Sequence, residues 1–136
     1  MYTVTKEIHF CYGHRLIHYK GKCQFLHGHN ARVQVELCSE SLDKRGMVYD
    51  FNDIGRIMKA WIDETLDHKM LLHQDDPIIP TLKAKNEVFY TMAINPTAEA
   101  IAKLIYDYAV SQKFSVNSVT VWETKSSFAT YKRSVA

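Results

Sequence analysis

The spacing of apolar residues changes twice along the chain, from every second residue to every third or fourth, and back again. Within residues 31–37, valine and leucine alternate with polar residues, which is typical of a half-buried strand. Residues 51–66 and 95–112 repeat their apolar side chains at helical spacing. Strands are predicted on both sides of these helices, over residues 1–10, 31–37 with a start near His27, 116–124 and 128–133.

The resulting element order is ββααββ, with strands at the two ends of the chain and helices between them. This order predicts an α+β fold in one domain over residues 1–136, with an antiparallel four-stranded sheet and two helices on one of its faces. Of the 136 residues, 46% are hydrophobic, which is enough to bury a core. Such a sheet has two free edges, and these favour pairing with another subunit.

Polar residues just before each helical segment can cap it. Asp50 or Asn52 can accept hydrogen bonds from the first turn of the first helix. Asn95 can do the same for the second helix, and Pro96 suits its first turn.

Two stretches follow neither period clearly. Residues 12–28 are broken by three glycines and are predicted to form a loop. Residues 67–94 contain QDDPIIP, which is typical of a loop, and EVFYTM, which could form a short strand.

Charge and cysteine content limit the classes of function. The net charge is +2 and basic residues are interspersed with acidic ones, whereas nucleic-acid-binding faces usually cluster their basic residues. No apolar run is long enough to cross a bilayer. The start, MYTVTKEIHF, lacks the basic and apolar regions of a signal peptide, and three cysteines are an odd count that favours free thiols. We therefore expect a cytoplasmic protein that binds neither nucleic acid nor membrane.

His27 and His29 stand two residues apart, and in a strand such residues point to the same face. Two imidazoles on one face can share a metal ion, and Gly28 between them leaves the opposite face clear. Either His14 or His18 could supply a third ligand, which would give a catalytic zinc site with an open fourth position. The alternative is that the spacing of the two histidines is a coincidence.

Cys23 lies four residues before His27, in a glycine-flanked stretch beside Lys22. Its thiolate could be a metal ligand, a nucleophile or a base, and its position suggests accessibility. The alternative is a buried, unreactive cysteine, which is the usual fate of this residue. Cys38, at the end of an alternating strand, fits that alternative better, and Cys11 is left open.

Asp67 and His68 directly follow the first predicted helix. An adjacent carboxylate and imidazole can support proton transfer if the carboxylate orients the ring. Neighbours in sequence often point apart, however, and His68 and Lys69 could instead interact with the dipole at the helix C-terminus. The residues alone favour this second interpretation.

Glu123 continues the alternation of Val119 and Val121 along the first of the two closing strands. A carboxylate buried there without a partner would be costly, so either the strand has ended or the carboxylate binds a ligand. A guanidine-like edge with two N–H donors would satisfy both of its oxygens. Glu99, in the first turn of the second helix, is explained by the helix dipole.

Six motifs together resemble one known family. They occur in the family's order and span nearly the whole chain: HFCYGHRL, CQFLHGHN, GMVYDFNDI, LDHKMLL, NPTAEAIAKLIYD and VWETKSS. The chain is similar to the 6-pyruvoyl-tetrahydropterin synthase and 6-carboxytetrahydropterin synthase superfamily. The resemblance implies a T-fold, in which three subunits join their sheets into a barrel and two trimers stack as a hexamer.

The resemblance also implies roles for individual residues. It assigns one zinc ion per subunit to His14, His27 and His29, in preference to His18. It implies that the substrate site forms between subunits. It further implies a catalytic Cys23 with Asp67 and His68 as proton-relay partners, a pterin anchor at Glu123, and a pterin pocket lined by Thr97 and Glu99.

The gap between Cys23 and the HGH motif bears on the product. Its three residues look like the 6-carboxytetrahydropterin synthase pattern, whereas pyruvoyl-forming enzymes usually have a longer gap. The resemblance then implies conversion of 7,8-dihydroneopterin triphosphate to 6-carboxy-5,6,7,8-tetrahydropterin, acetaldehyde and triphosphate, on the route to queuosine. Alternatives are formation of 6-pyruvoyl-tetrahydropterin, cleavage of dihydroneopterin, or non-catalytic binding of a pterin or purine.

The sequence departs from the family pattern in three places. Tyr12 and Gly13 stand where two small residues usually precede the first histidine, and Cys11 adds a thiol nearby. The segment 73–94 is longer than in compact family members. Candidates for binding the triphosphate are Arg15, Lys22 and Lys69.

Overall fold

The fold is described from a computed structural model, which describes residues 1–134; the last two residues of the predicted domain lie outside the described residues. The described residues form six strands and three α-helices, with a 3₁₀ turn at Lys22–Gln24. In chain order the elements are β1 (Tyr2–His14), β2 (His27–Ser39), α1 (Phe51–Thr65), β3 (Lys69–His73), α2 (Ile79–Ala84), β4 (Phe89–Met92), α3 (Ala98–Ser111), β5 (Val116–Trp122) and β6 (Phe128–Lys132).

The six strands belong to one sheet, in the order β4-β3-β1-β2-β5-β6. β1 and β2 are antiparallel along their whole length, and β5 and β6 extend the sheet with antiparallel pairing. On the other side, β3 runs parallel to β1, and β4 runs parallel to β3. The predicted α+β class is therefore confirmed. The predicted sheet of four antiparallel strands is wrong, because the sheet is mixed and has six strands.

The two additional strands lie in the segment with the weakest periodicity. β3 reads KMLLH, and a short apolar run of this kind does not distinguish a strand from a buried helical segment. Its residues Leu71 and Leu72 are both fully buried, as expected for a strand covered on both faces. The short strand predicted at EVFYTM is confirmed as β4. The loop predicted at QDDPIIP is wrong over its last two residues, because Ile79 and Pro80 form the first turn of α2.

β1 continues to His14, so the loop predicted from Tyr12 is wrong over its first three residues. Tyr12 is buried, and its burial favours continuation of the strand beyond the predicted end. Gly13 lies directly opposite Gly28 of β2, so no side chains stand between the two backbones there. The pairing ends with His14 opposite His27, the residue at which β2 is predicted to start.

The two long helices, α1 and α3, pack on the same face of the sheet. Ile54, Met58 and Ile62 of α1 are fully buried, and each contributes about 1.5–3 kcal/mol relative to an exposed position. The two helices contact each other through Trp61 and Tyr108, whose rings stack with their centroids 4.3 Å apart. The core lies between these helices and the sheet. Within residues 1–134, no helix has the length and hydropathy needed to cross a membrane.

Side chains cap both long helices. Asp50 caps α1, because its Oδ1 accepts the N–H of Asn52 at 2.8 Å. The cap predicted for α3 at Asn95 is wrong, because Oγ1 of Thr97 accepts the N–H of Ala100 at 3.1 Å.

Asn95 instead holds the loop that follows β1. Its Oδ1 accepts the N–H of Ile17 at 3.0 Å, and its Nδ2 donates to the carbonyl oxygen of the same residue at 2.8 Å. Pro96 therefore precedes α3 rather than lying in its first turn. This arrangement brings the main chain before α3 against the end of β1.

Thr97→Ala should lower the free energy of unfolding by about 1 kcal/mol, because the N–H of Ala100 loses its acceptor. Thr97→Ser, which keeps the hydroxyl group, should retain most of the stability. Urea unfolding followed by circular dichroism measures both variants. An equal loss in the two variants would show that the cap does not stabilise α3.

Candidate active site

Three histidines lie together where the β1–β2 pair ends. His14 is directly opposite His27 across the two strands, and His29 follows two residues later on the same face of β2. Their ring centroids are 4.4 to 5.1 Å apart, and one ring nitrogen of each lies within 4.8 Å of the others. His18 lies elsewhere, with its ring centroid 6.2 Å from that of His73. The three histidines predicted as ligands therefore form one of the groups of side chains that could hold a metal ion.

Main-chain carbonyl groups orient two of these rings. Nδ1 of His14 lies 2.7 Å from the carbonyl oxygen of Pro96, and Nδ1 of His27 lies 2.7 Å from that of Phe25. A carbonyl oxygen only accepts hydrogen bonds, so each Nδ1 carries a proton, and in the neutral form of such a ring the lone pair is on Nε2. Metal-binding histidines are usually oriented by such a contact.

Nε2 of His14 and Nε2 of His29 are buried and have no hydrogen-bond partner among residues 1–134. An unpaired buried polar atom costs about 1–3 kcal/mol, so these two atoms indicate a missing partner. Burial lowers the pKa of His14, and the rings of His27 and His29 also lower it, although the hydrogen bond to Pro96 and the charge of Glu123 act in the opposite direction. The ring is therefore neutral, which is the form that binds a metal ion.

Glu123 faces these histidines rather than the apolar core. Its Oε1 lies 3.9 Å from Nε2 of His14, and its Oε2 lies 4.0 Å from Nε2 of His29. The hydroxyl of Tyr12 donates to Oε1 at 3.4 Å. Burial raises the pKa of Tyr12 and the charge of Glu123 raises it further, so this hydroxyl remains a donor. The carboxylate that interrupts the apolar alternation therefore lies beside the histidine group.

Asp67 and His68 point toward each other, contrary to the interpretation that the residues alone favour. Oδ2 of Asp67 accepts a hydrogen bond from Nδ1 of His68 at 2.8 Å, and Oδ1 accepts the main-chain N–H of Cys11 at 3.0 Å. Burial raises the pKa of Asp67, but the hydrogen bonds from Cys11 and His68 outweigh it and hold the pKa below its ordinary value. The carboxylate thus stays ionised and orients the ring, which leaves Nε2 of His68 free to accept a proton.

Cys23 lies in the 3₁₀ turn between β1 and β2 and is half-buried. In the part of the chain that the structure describes, its thiol belongs to neither group of metal-type side chains. The thiol that lies beside Asp67 and His68 is instead that of Cys11. The catalytic role of Cys23 stays a prediction, and Cys38 is buried, as its place in the sequence suggests.

A cavity of about 660 Å³ lies beside Cys11 and His68. His29 lines it together with Cys11 and His68, and Leu82 and Val88 from the α2–β4 segment line it as well. This volume lies in the range of small-molecule sites. Sequence reasoning noted Cys11 as an additional thiol and left its role open, and it missed the contribution of the α2–β4 segment. The alternation of β1 could have indicated Cys11, because it shows that this residue points away from the helices.

Thr97 and Glu99 lie at the N-terminus of α3. Thr97 caps the helix, and Glu99 is exposed in its first turn, where a negative charge is favourable. These positions account for both residues without a ligand. Their place in a pterin pocket stays a prediction.

Arg15 is not a free cation. Its guanidinium group pairs with both oxygens of the buried Asp76, at 2.8 and 2.5 Å. This pairing holds the pKa of Asp76 below its ordinary value. Lys22 lies in the 3₁₀ turn, whereas Lys69 lines the cavity. The ammonium group of Lys69 donates to the carbonyl oxygen of Glu64, and the part of all three cations in binding the triphosphate stays a prediction.

Comparison with known proteins identifies the family. Residues 3–134 match the family described as 6-pyruvoyl tetrahydropterin synthase. The chain belongs to this family. A relative from Rickettsia conorii, named 6-carboxy-5,6,7,8-tetrahydropterin synthase, is 40% identical, with 94% of this chain and 98% of the relative covered. A relative of the same name from Haemophilus influenzae is 34% identical, with 97% and 99% covered.

Two solved structures share the fold of this chain. An uncharacterized protein from Wolinella succinogenes matches with a TM-score of 0.81 and 30% identity over 98% of each chain. The 6-pyruvoyl tetrahydropterin synthase of Caenorhabditis elegans matches with a TM-score of 0.72 and 27% identity, over 98% of this chain and 96% of that one. The T-fold implied by the sequence resemblance is thereby confirmed.

Gly28→Ala should disturb the histidine group, because the added Cβ would lie 2.9 Å from the main-chain carbonyl oxygen of Tyr12. We expect a divalent metal ion such as Co²⁺ to bind at least roughly tenfold more weakly, as measured by competition with a chelator. Gly13→Ala is the matched control, because its Cβ would meet the flexible end of the Met70 side chain. If both variants weakened binding equally, the close approach at Gly28 would not be what positions the site.

Proposed function

We propose that this protein is a carbon–carbon lyase that converts 7,8-dihydroneopterin triphosphate to 6-carboxy-5,6,7,8-tetrahydropterin, with release of acetaldehyde and triphosphate. The observation that carries the proposal is the similarity over nearly the whole chain to relatives named for this product, at 34% and 40% identity. The three residues between Cys23 and His27 agree with that product. The reaction is a step toward queuosine and other 7-deazapurines.

We infer that His14, His27 and His29 hold one zinc ion per subunit. The neutral ring of His14, the oriented lone pairs and the two Nε2 atoms left unpaired within the described residues support this inference. Three imidazoles also leave one position open, as in catalytic zinc sites. When bound, zinc supplies Lewis-acid chemistry that acidifies the hydroxyl groups of the substrate and the adjacent C–H bond.

The side chains of the protein are proposed to move the protons. Cys23, in its deprotonated form, takes a proton from the substrate side chain. His68, held by Asp67 through Nδ1, accepts or returns a proton at Nε2 on the other side of the substrate. Each of these transfers is of the kind that accelerates a reaction by about 10²–10⁴-fold.

Glu123 is proposed to anchor the pterin. Its two carboxylate oxygens match the two N–H donors of the amino-pyrimidine edge. Because Glu123 lies beside His14 and His29, an anchored pterin would have its side chain close to the histidine group. Anchoring of this kind fixes the register of the substrate against the reacting groups.

We propose that the site is completed between subunits of a homohexamer built from two stacked trimers, in the cytoplasm. Within the described residues the thiol of Cys23 is not grouped with Asp67 and His68, so a relay that uses all three side chains would take them from different chains. β4 and β6 are the edges of the sheet among residues 1–134, and pairing between copies would satisfy their free main-chain groups.

Incubation of the zinc-loaded protein with 7,8-dihydroneopterin triphosphate tests the proposed reaction. We expect 6-carboxy-5,6,7,8-tetrahydropterin and acetaldehyde to form in equal amounts, as measured by liquid chromatography and an aldehyde assay. A pyruvoyl product without acetaldehyde, or cleavage of dihydroneopterin alone, would assign a different reaction of the same family. Tight binding of the pterin without turnover would show a binding protein.

Cys23→Ala should reduce turnover by about 10²–10⁴-fold, because the substrate loses its base, while the zinc content stays near one ion per subunit. Metal analysis and single-turnover kinetics measure the two quantities. Cys38→Ala is the control, because this thiol is buried outside the site, and it should retain both zinc and activity. Loss of zinc from Cys23→Ala would make Cys23 a metal ligand and contradict the proposed role.

A further inference from the structure

A second group of metal-type side chains lies at the face of β1 that points away from the helices. The thiol of Cys11, the carboxylate of Asp67 and the imidazole of His68 offer ligand atoms within 4.8 Å of one another. Zinc bonds of about 2.0–2.3 Å require such atoms to stand about 3–4 Å apart, which a small rotation of the side chains would achieve. The proposed reaction uses Asp67 and His68 and gives Cys11 no role.

Main-chain hydrogen bonds hold these three residues in place. The N–H of Cys11 donates to Oδ1 of Asp67 at 3.0 Å, and the N–H of His68 donates to the carbonyl oxygen of Cys11 at 2.8 Å. His68 has a φ of 60°, a left-handed conformation that costs on the order of 1–3 kcal/mol for a residue with a side chain. The surrounding contacts maintain this conformation, so the group is built into the end of β1.

The donor atoms suit a divalent transition metal. Thiolate and imidazole favour ions such as Zn²⁺ and Co²⁺ over Mg²⁺ and Ca²⁺. Oδ1 of Asp67 is engaged by the N–H of Cys11, whereas the contact of Oδ2 with His68 could be replaced by bonds to an ion. The side chain of His68 is 78% exposed and can turn toward the ion, and the cavity of about 660 Å³ leaves room for a water ligand.

We propose that Cys11, Asp67 and His68 form a second, weaker site for a divalent transition metal ion, and that occupancy of this site inhibits the enzyme. Binding releases the thiol proton of Cys11 to solvent, and His68 binds as the neutral imidazole. The bound ion withdraws His68 from proton transfer. The inhibition therefore rests on the proposed function, whereas the metal site does not.

Titration of the metal-free protein with Co²⁺ tests the site directly. We expect two equivalents per chain, the second with a sulfur-to-cobalt charge-transfer absorption, because the three-histidine group contains no sulfur. Cys11→Ser should lose the absorption and the second equivalent, and the matched variant Cys23→Ser should keep both. A single equivalent in the wild type, or an absorption that persists in Cys11→Ser, would overturn the proposal.

His68→Gln provides a second test that leaves β1 unchanged, because this side chain is largely exposed. The second equivalent of Co²⁺ should bind at least roughly tenfold more weakly, while the circular dichroism spectrum stays the same. An unchanged affinity would remove His68 from the ligand set and refute the site as proposed.

Assays of acetaldehyde formation in increasing excess of Zn²⁺ test the inhibition. The wild type should lose activity and regain it when a weak chelator removes the excess, whereas the remaining activity of Cys11→Ser should not respond. An equal response of the two proteins would refute inhibition through this site. Failure of the wild type to form acetaldehyde at any Zn²⁺ concentration would instead refute the proposed function, and the cobalt result would still decide the metal site.

Discussion

The pairing of β1 with β2 is the constraint on which the site depends. Its 13 residue pairs run from Tyr2 opposite Ser39 to His14 opposite His27. Because side chains alternate along a strand, this register brings His14, His27 and His29 to the same helix-covered face. A slip of one residue in the pairing would turn the histidines of one strand to the other face of the sheet. The apolar pattern that fixes the register in the core therefore also positions the histidine group at the end of the strand pair.

The start of α3 connects the helical layer to the same group. Pro96, just before the cap at Thr97, accepts the hydrogen bond that sets the tautomer of His14. Asn95 holds the main chain at Ile17, three residues beyond that histidine. Burial opposes protonation of His14 and the carbonyl oxygen requires a proton on Nδ1, so the two effects together define one neutral tautomer. Helix capping and ring orientation therefore depend on the same short segment.

The sequence predicts the parts of the fold in which each segment buries one face. β2, α1 and α3 follow from periodicity for this reason, whereas β3 pairs in parallel with a distant strand and is buried on both faces, which leaves no alternation to detect. The site likewise contains features that local spacing predicts and features that depend on the folded chain. The spacing of His27 and His29 indicates a metal pair, but the residues alone do not choose between His14 and His18. The contact of His68 with Asp67 depends on a left-handed backbone and on a strand 56 residues away, so local spacing does not show it.

β1 carries ligand-type side chains at both of its faces, and burial distinguishes the two groups. His14 is 2% exposed beneath the helices, so this ring is already ordered and neutral before an ion arrives. The side chain of His68 is 78% exposed, so binding an ion must first order this ring, which costs conformational entropy. The ring of His14 is already ordered and does not incur this cost. The buried group should therefore bind the first ion, and the open group should respond only to excess metal. Because Cys11 and His14 are three residues apart in one strand, an ion held at the open face would act on the same short segment of backbone that positions the buried group.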